Sequence, residues 1–518
     1  MPLPSLVGKP LRDLGSVHPI PRRHPEIRVG LLGQSDITAA AVLAVVEPQS
    51  TGIGGDCFAI IAKPGHKLLG FNGSGRSPRG LDAEALLAKG RIETSSPHSV
   101  TVPGAIDAWD QMLRAHGTIG LDRALAPAIR FAEEGFVVAP RVAFDWATDR
   151  ELIELREGSR QHLRLAGRVP AEGEVMRFPA LAQSLRAIAR EGRDAFYSGA
   201  LAEDMVGDLR ALGGSHRLED FAAHRGEWVT PITAPFSGLD IAELPPNGHG
   251  ITALVLLNIL KHLPDRGSEP LSVRRTHLLL EAARAAYAVR DTFVADPAVS
   301  HVPVEHMLSD AFARELAARI DPARRSPAIG RIPQPRKSDT VYLAVAEASG
   351  LAVSFINSVY WSFGSGIVTR KTGITLQNRG CCFSLKPGHP NVVAPGKRPL
   401  HTIIPGMALK AGAPEIVFGV MGGDYQPLGH AHVLSSMLEH GLDPQAAVDL
   451  PRAFFDPEGL VLETGYPDDM ARQLQNMGHR ISRSPEPFGG GQIIVYDRRN
   501  GVLRGASDPR KDGWAAGI

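Results

Sequence analysis

Residues 322–339, PARRSPAIGRIPQPRKSD, have no apolar period, and they run straight into Thr340 and the β-forming stretch TVYLAVAEASGLAVSFINSV. An exposed connector that ends at a threonine has a definite chemical use. If the Asp339–Thr340 bond were cut, Thr340 would carry a free α-amine with a pKa of about 8, suited to act as base for its own hydroxyl. The same hydroxyl could make the cut by attacking the Asp339 carbonyl. A second feature serves that chemistry: Met421-Gly422-Gly423-Asp424 follows the apolar stretch 415–420, and glycine lets backbone N–H groups approach an oxyanion closely.

Histidines offer a rival class, a metal-dependent hydrolase with His430 and His432 as ligands and Asp424 and His401 beside them. Two imidazoles two residues apart share one side of a strand, but 431–440 has a helical pattern, which aims them about 200° apart. The chain contains no H-E-x-x-H. Gly52-Ile53-Gly54-Gly55-Asp56-Cys57 lacks the third glycine of a dinucleotide fingerprint, no P-loop lysine follows it, and Gly364-Ser365-Gly366 fails in the same way. Both clusters read as turns, and neither a metal nor a cofactor is expected.

The elements that must position these residues follow from pattern. Apolar residues at three and four spacing predict helices over 105–137, 179–213, 251–261, 276–290 and 308–320, with charges on their other sides. From Thr340 the chain predicts a hairpin turning at Gly350, then strands at 415–420 and 491–496 covered by helices at 431–440 and 468–477. Residues 1–36 receive no assigned structure. With 56 basic and 55 acidic side chains in 518 residues, the net charge is +1. No basic face is implied, so nucleic acid and anionic membrane are excluded as partners. The longest uncharged apolar run, 39–46, falls far short of the ~20 residues that span a bilayer. No apolar signal segment opens the chain, and three cysteines build no disulfide framework, so a cytoplasmic location is expected.

With Thr340, the glycine pair and TGIGGDCF in view, the chain resembles the γ-glutamyltranspeptidase family of N-terminal nucleophile hydrolases. The resemblance runs from about residue 39 to 518 through EPQSTGIGGD, VPGAIDAWDQMLRAHGT, HLLLEAARAAYAVRD, DTVYLAVAEASGLAVSFINS, FGSGIV, GKRPLHTIIP, MGGD and GASDPRKDG. It implies an α/β fold, an αββα sandwich formed by two subunits from one self-cleaved precursor. Residues 1–38 would be a divergent N-terminal segment, 39–339 a helix-rich large subunit lending strands to the shared sheet, and 340–518 the small catalytic subunit. The two fragments would stay together as a heterodimer. By the same resemblance Thr340 is the nucleophile, Ser358 the second active-site hydroxyl, and Gly422 and Gly423 the oxyanion hole.

Departures from the family pattern concern the substrate. Members hold a γ-glutamyl α-carboxylate with an arginine after a D-F-R-E strand, and the α-amine with an acidic group in an N-N-x-x-D-D-F segment. Here Asn72 stands at the arginine position, with Arg76 four residues later, and Cys382 replaces the aspartate, with Arg379 near it. His401-Thr402 replaces a serine pair, and Tyr360 an asparagine. The changes remove an anionic partner for an amine and leave cations for an acid. Arg379 either reads a substrate carboxylate through paired hydrogen bonds or pairs with a structural carboxylate. The first option points to a small amide with an anionic acyl group, oxamate-type or glutaryl-type, as in the branch that includes oxamate amidohydrolases and cephalosporin acylases. The alternatives are a γ-glutamyltransferase or glutathione hydrolase and, because the usual opening strand and helix are not legible in residues 1–38, an unprocessed non-catalytic scaffold.

Overall fold

A computed structural model describes residues 32–265, 268–326, 340–456 and 459–517, together with the short strand His18–Pro19. The 327–339 connector and Asp339 lie outside the described residues.

Strands Asp56–Ala62 and Ala352–Ser358 are buried along their whole length, and the two-residue period of a strand explains how. Cys57, Ala59, Ile61, Val353 and Phe355 enter a core shared with helices Leu32–Val46, Ala105–His116, Leu121–Glu134 and Pro179–Glu191. The alternate residues Phe58, Ile60, Ala352 and Ile356 meet Met407, Val417 and Tyr496 of a second sheet. Each strand therefore lies between a helical layer and another sheet.

The first sheet has the order Glu227–Val229, Leu69–Asn72, Asp56–Ala62, Ala352–Ser358, Val341–Ala346. The second runs His18–Pro19, Val502–Ser507, Gly490–Asp497, Ala413–Met421, Gly406–Lys410, Leu239–Glu243, Ile232–Phe236. On its outer face Ile241, Ile416, Phe418 and Ile493 pack into a core with residues of helices Gly250–Leu260, Val273–Phe293 and Gln426–Leu438. The layering is helix, sheet, sheet, helix. Both sheets mix segments from before and after Thr340.

The hairpin after Thr340 forms as its pattern predicts, with Val341–Ala346 antiparallel to Ala352–Ser358 and Gly350 at φ +92° in the connection. Two expectations need correction. The unassigned N-terminal stretch ends in helix Leu32–Val46, which crosses the limit drawn at residue 38. Its Ile37, Ala40, Ala41, Ala44 and Val45 are buried and Val42 and Val46 partly so, and a helix apolar on most sides carries little amphipathic period. Likewise Gly250–Leu260 and most of Val273–Phe293 are buried all round instead of showing a charged outer side. Arg275, Glu281, Arg284 and Arg290 of the second helix are buried and ion-paired.

Candidate active site

Thr340 stands at the head of Val341–Ala346, and Ser358 closes the antiparallel strand beside it, so the ladder brings the two hydroxyls together. Thr340 Oγ1 donates to Ser358 Oγ at 3.0 Å, and both side chains are buried. Ser358 Oγ also accepts the Tyr360 N–H at 2.8 Å. On its other side Ser358 lies opposite Asp56 across the sheet. Gly55 packs against this point so closely that a Cβ there would come within 2.2 Å of the Ser358 carbonyl oxygen. The GIGGD segment, read from sequence as a turn, is a place of close backbone approach to Ser358, the hydrogen-bond partner of Thr340.

Tyr360 takes a left-handed backbone, φ +82°, and its ring lies 4.1 Å from the Arg379 guanidinium carbon, a cation–π contact. Arg379 belongs to the short turn Arg379–Cys382 and is 0% exposed. Its Nη1 donates to Thr402 Oγ1 at 2.6 Å and lies 4.0 Å from Cys382 Sγ. Its Nε and Nη2 are buried and have no protein partner, and among the described residues it forms no ion pair. Those two N–H groups form one edge of the guanidinium fork, the geometry that takes a carboxylate through two parallel bonds.

A compensating charge comes from Asp56, fully buried and held by His401 Nε2 at 2.9 Å, Gln377 Nε2 at 3.0 Å and the Gly104 N–H at 2.9 Å. Burial raises the Asp56 pKa, and Arg379 is the strongest influence opposing that rise. Burial, then Arg379 and Arg398, push His401 well below its ordinary range, so the imidazole is neutral and donates to the carboxylate. Burial also raises the Cys382 thiol, leaving it protonated and unable to pair with an ammonium.

Gly422 and Gly423 end the strand Ala413–Met421 with φ of +124° and +55°. A Cβ on Gly422 would come within 2.9 Å of Gly489 Cα. Gly422 shares a cavity wall with Tyr360, Trp361 and Asp424. The second hydroxyl, Tyr360, Arg379 and Thr402 are thus linked to Thr340 by consecutive contacts, and Gly422 faces the same cavity as Tyr360.

Other residues singled out from sequence do not join this group. Asn72 donates to Asn247 Oδ1 at 2.9 Å and accepts from the Ser74 hydroxyl at 2.7 Å. Arg76 is committed to Asp296 at 2.9 Å. The rival metal set is dispersed: His401 pairs with Asp56, Asp424 with Arg290, His430 with Glu243, while His432 is buried on helix Gln426–Leu438. Among the described residues three ligand atoms converge instead at His277, Glu281 and His479. There Glu281 already bonds Arg284 and the Ser326 N–H, and His277 bonds His479 and the Asp321 carbonyl. Sequence reasoning missed Asp56, Gln377, Trp361 and Phe488. The one available signal was the aspartate closing GIGGD.

The model of the gamma-glutamyltranspeptidase family matches residues 34–518. The chain is 36% identical over 492 residues to the glutathione hydrolase-like YwrD proenzyme of Bacillus subtilis, covering 93% of each. It is 35% identical over 497 residues to the oxamate amidohydrolase proenzyme of Klebsiella pneumoniae, again covering 93% of each. The crystal structure of cephalosporin acylase from Bacillus halodurans superposes with a TM-score of 0.86 at 40% identity, covering 93% of this chain and 91% of that one. The fold and the threonine site are those of an N-terminal nucleophile hydrolase, an enzyme of the threonine type. The chain belongs to the gamma-glutamyltranspeptidase family.

Proposed function

We propose that this protein is a self-processing threonine amidohydrolase that cleaves itself between Asp339 and Thr340 and then hydrolyses a small amide whose acyl group carries a carboxylate, oxamate-type or glutaryl-type. The observation that carries the reading is the buried, unpartnered Nε/Nη2 edge of Arg379, linked through Tyr360 and Ser358 to Thr340. A buried cation with two idle donors is costly unless an anion arrives. The relatives support processing, since two of them are named as proenzymes. Cleaved fragments would remain associated, because the Ala352–Ser358 strand is bonded along its length to Asp56–Ala62.

In this mechanism the freed α-amine of Thr340 takes the hydroxyl proton as Oγ1 attacks the amide carbonyl carbon. The carbonyl π electrons move to oxygen, which meets the backbone N–H groups of Gly422 and Gly423. The α-ammonium returns its proton to the nitrogen of the leaving amine as the C–N bond breaks, leaving an ester on Oγ1. Water, giving a proton to the same amine, then attacks the ester carbon; the C–Oγ1 bond breaks, the α-ammonium returns that proton to Oγ1, and the acid leaves. Ser358 positions Oγ1, and Arg379 holds the acyl carboxylate.

A denaturing gel and an acyl panel test this. Wild type should give two chains, the shorter beginning at Thr340, whereas Thr340→Ala should stay a single 55.4 kDa chain without amidase activity. Among γ-glutamyl, glutaryl and oxamate amides, the substrates lacking an α-amine should be preferred. A γ-glutamyl substrate turned over far faster than its glutaryl analogue would reassign the enzyme as a γ-glutamyl hydrolase or transferase.

A further inference from the structure

Arg379 is not among the residues that wall the cavity at Tyr360 and Gly422, so an acyl carboxylate held by Arg379 would lie outside it. Its volume is about 330 Å³. If the substrate were a primary amide, the group leaving the carbonyl carbon would be ammonia, about the size of a water molecule, whose share of liquid volume is ~30 Å³. The cavity is roughly ten times that, within the range that takes a drug-sized group.

Resting on the proposed amidase reading, we infer that this cavity is the subsite for the amine half of the substrate, and that this half is a bulky amine bearing an aromatic ring. At an amide carbon attacked by Oγ1, the acyl and amine substituents leave in different directions. With the acyl carboxylate on Arg379, the amine must extend elsewhere, and the space walled by Tyr360 and Gly422 borders two of the residues grouped around Thr340. Its walls suit a ring. Tyr425 and Phe488 stack with centroids 5.6 Å apart and planes 19° apart, Phe454 meets Tyr425 edge-on, and Trp361 faces the same space. At the rim Arg141 pairs with Asp145 at 2.6 Å and lies 3.8 Å from Glu486, tying helix Pro140–Thr148 to the loop that carries Phe488. The cavity therefore has a braced mouth and aromatic sides, with Asp149, Asp424, Asp456 and Lys511 adding charged groups to its wall.

The test holds the acyl group constant and varies the amine: the primary amide, the methylamide and the 2-naphthylamide of the preferred acid, each with wild type, Phe488→Ala and Ser482→Trp. Ser482 is exposed on the cavity wall, so a tryptophan there fills the space without entering the core. Loss of one aromatic contact should lower kcat/KM for the naphthylamide about three- to tenfold relative to the primary amide. Ser482→Trp should lower the naphthylamide more and largely spare the primary amide. Free 2-naphthylamine should inhibit wild type competitively and Ser482→Trp weakly. If all three amides change by the same factor in both variants, the cavity does not hold the amine and the inference is overturned. Failure of the underlying reading looks different: no acyl ester on Thr340 appears in quenched mass spectra from any of the amides, and this inference falls with it.

Discussion

Arg379 and Arg452 are both 0% exposed, yet their surroundings differ in kind. Arg452 Nη2 meets the Asp508 carboxylate at 2.5 Å and the Val448 carbonyl at 3.2 Å, while its Nη1 donates to the Phe488 carbonyl at 2.6 Å. Only its Nε lacks a partner. Arg379 has a hydroxyl, a distant thiol and the face of an aromatic ring, and its carboxylate-shaped edge is idle. The first guanidinium is consumed in holding a corner of the fold together. The second is kept folded by Asp56 at a distance and by Tyr360 beneath it, with binding capacity left over. Burial alone does not tell a structural charge from a functional one. The count of satisfied donors separates these two, and it is the ground on which Arg379 is proposed as a binding group.

The largest expected effect that sharpens this contrast is on stability. Arg452→Met leaves Asp508 buried with Arg510 as its one ion-pair partner among the described residues, so urea unfolding should register a loss of about 3–5 kcal/mol. Arg379→Met breaks no direct ion pair but removes the charge that balances Asp56, so its loss should be clearly smaller than that of Arg452→Met without being zero. Equal losses in the two variants would end the comparison. In activity the order reverses. Losing a charge-assisted bond of about 1.5–3 kcal/mol should cut kcat/KM on an anionic acyl amide by roughly ten- to more than a hundredfold in Arg379→Met. An acyl amide without the carboxylate should be affected far less.

The smallest effect belongs to Cys382. A thiol 4.0 Å from Nη1 is a weak acceptor, so Cys382→Ser should change kcat/KM by less than about threefold. A loss as large as that of Arg379→Met would mean that sulfur, and not the idle edge, organises the acyl site.

Much of the reaction centre was legible in sequence because it is local. Thr340 and Ser358 are brought together by one hairpin, whose two strands and Gly350 turn were written in alternation and turn chemistry. The glycine pair follows an apolar strand that forms as its composition predicts. The helix that takes His430 and His432 out of a shared ligand set was likewise visible from its period. Helix Leu32–Val46 was invisible beyond its last apolar run, since a helix buried on most sides carries no contrast between faces.

The sequence by itself placed Thr340 and Ser358 on one hairpin, which depends on residue type and near neighbours, while the resemblance to the family supplied their expected roles and the reading of Cys382 in place of an aspartate. Only the tertiary structure decided which donors of Arg379 are satisfied. Its partners come from residues 360, 382 and 402, and its balancing carboxylate from residue 56, over three hundred positions away, across a sheet shared by both halves of the chain. Whether a buried donor is satisfied depends on every atom that surrounds it. That property belongs to the packed molecule and has no signature in spacing or composition.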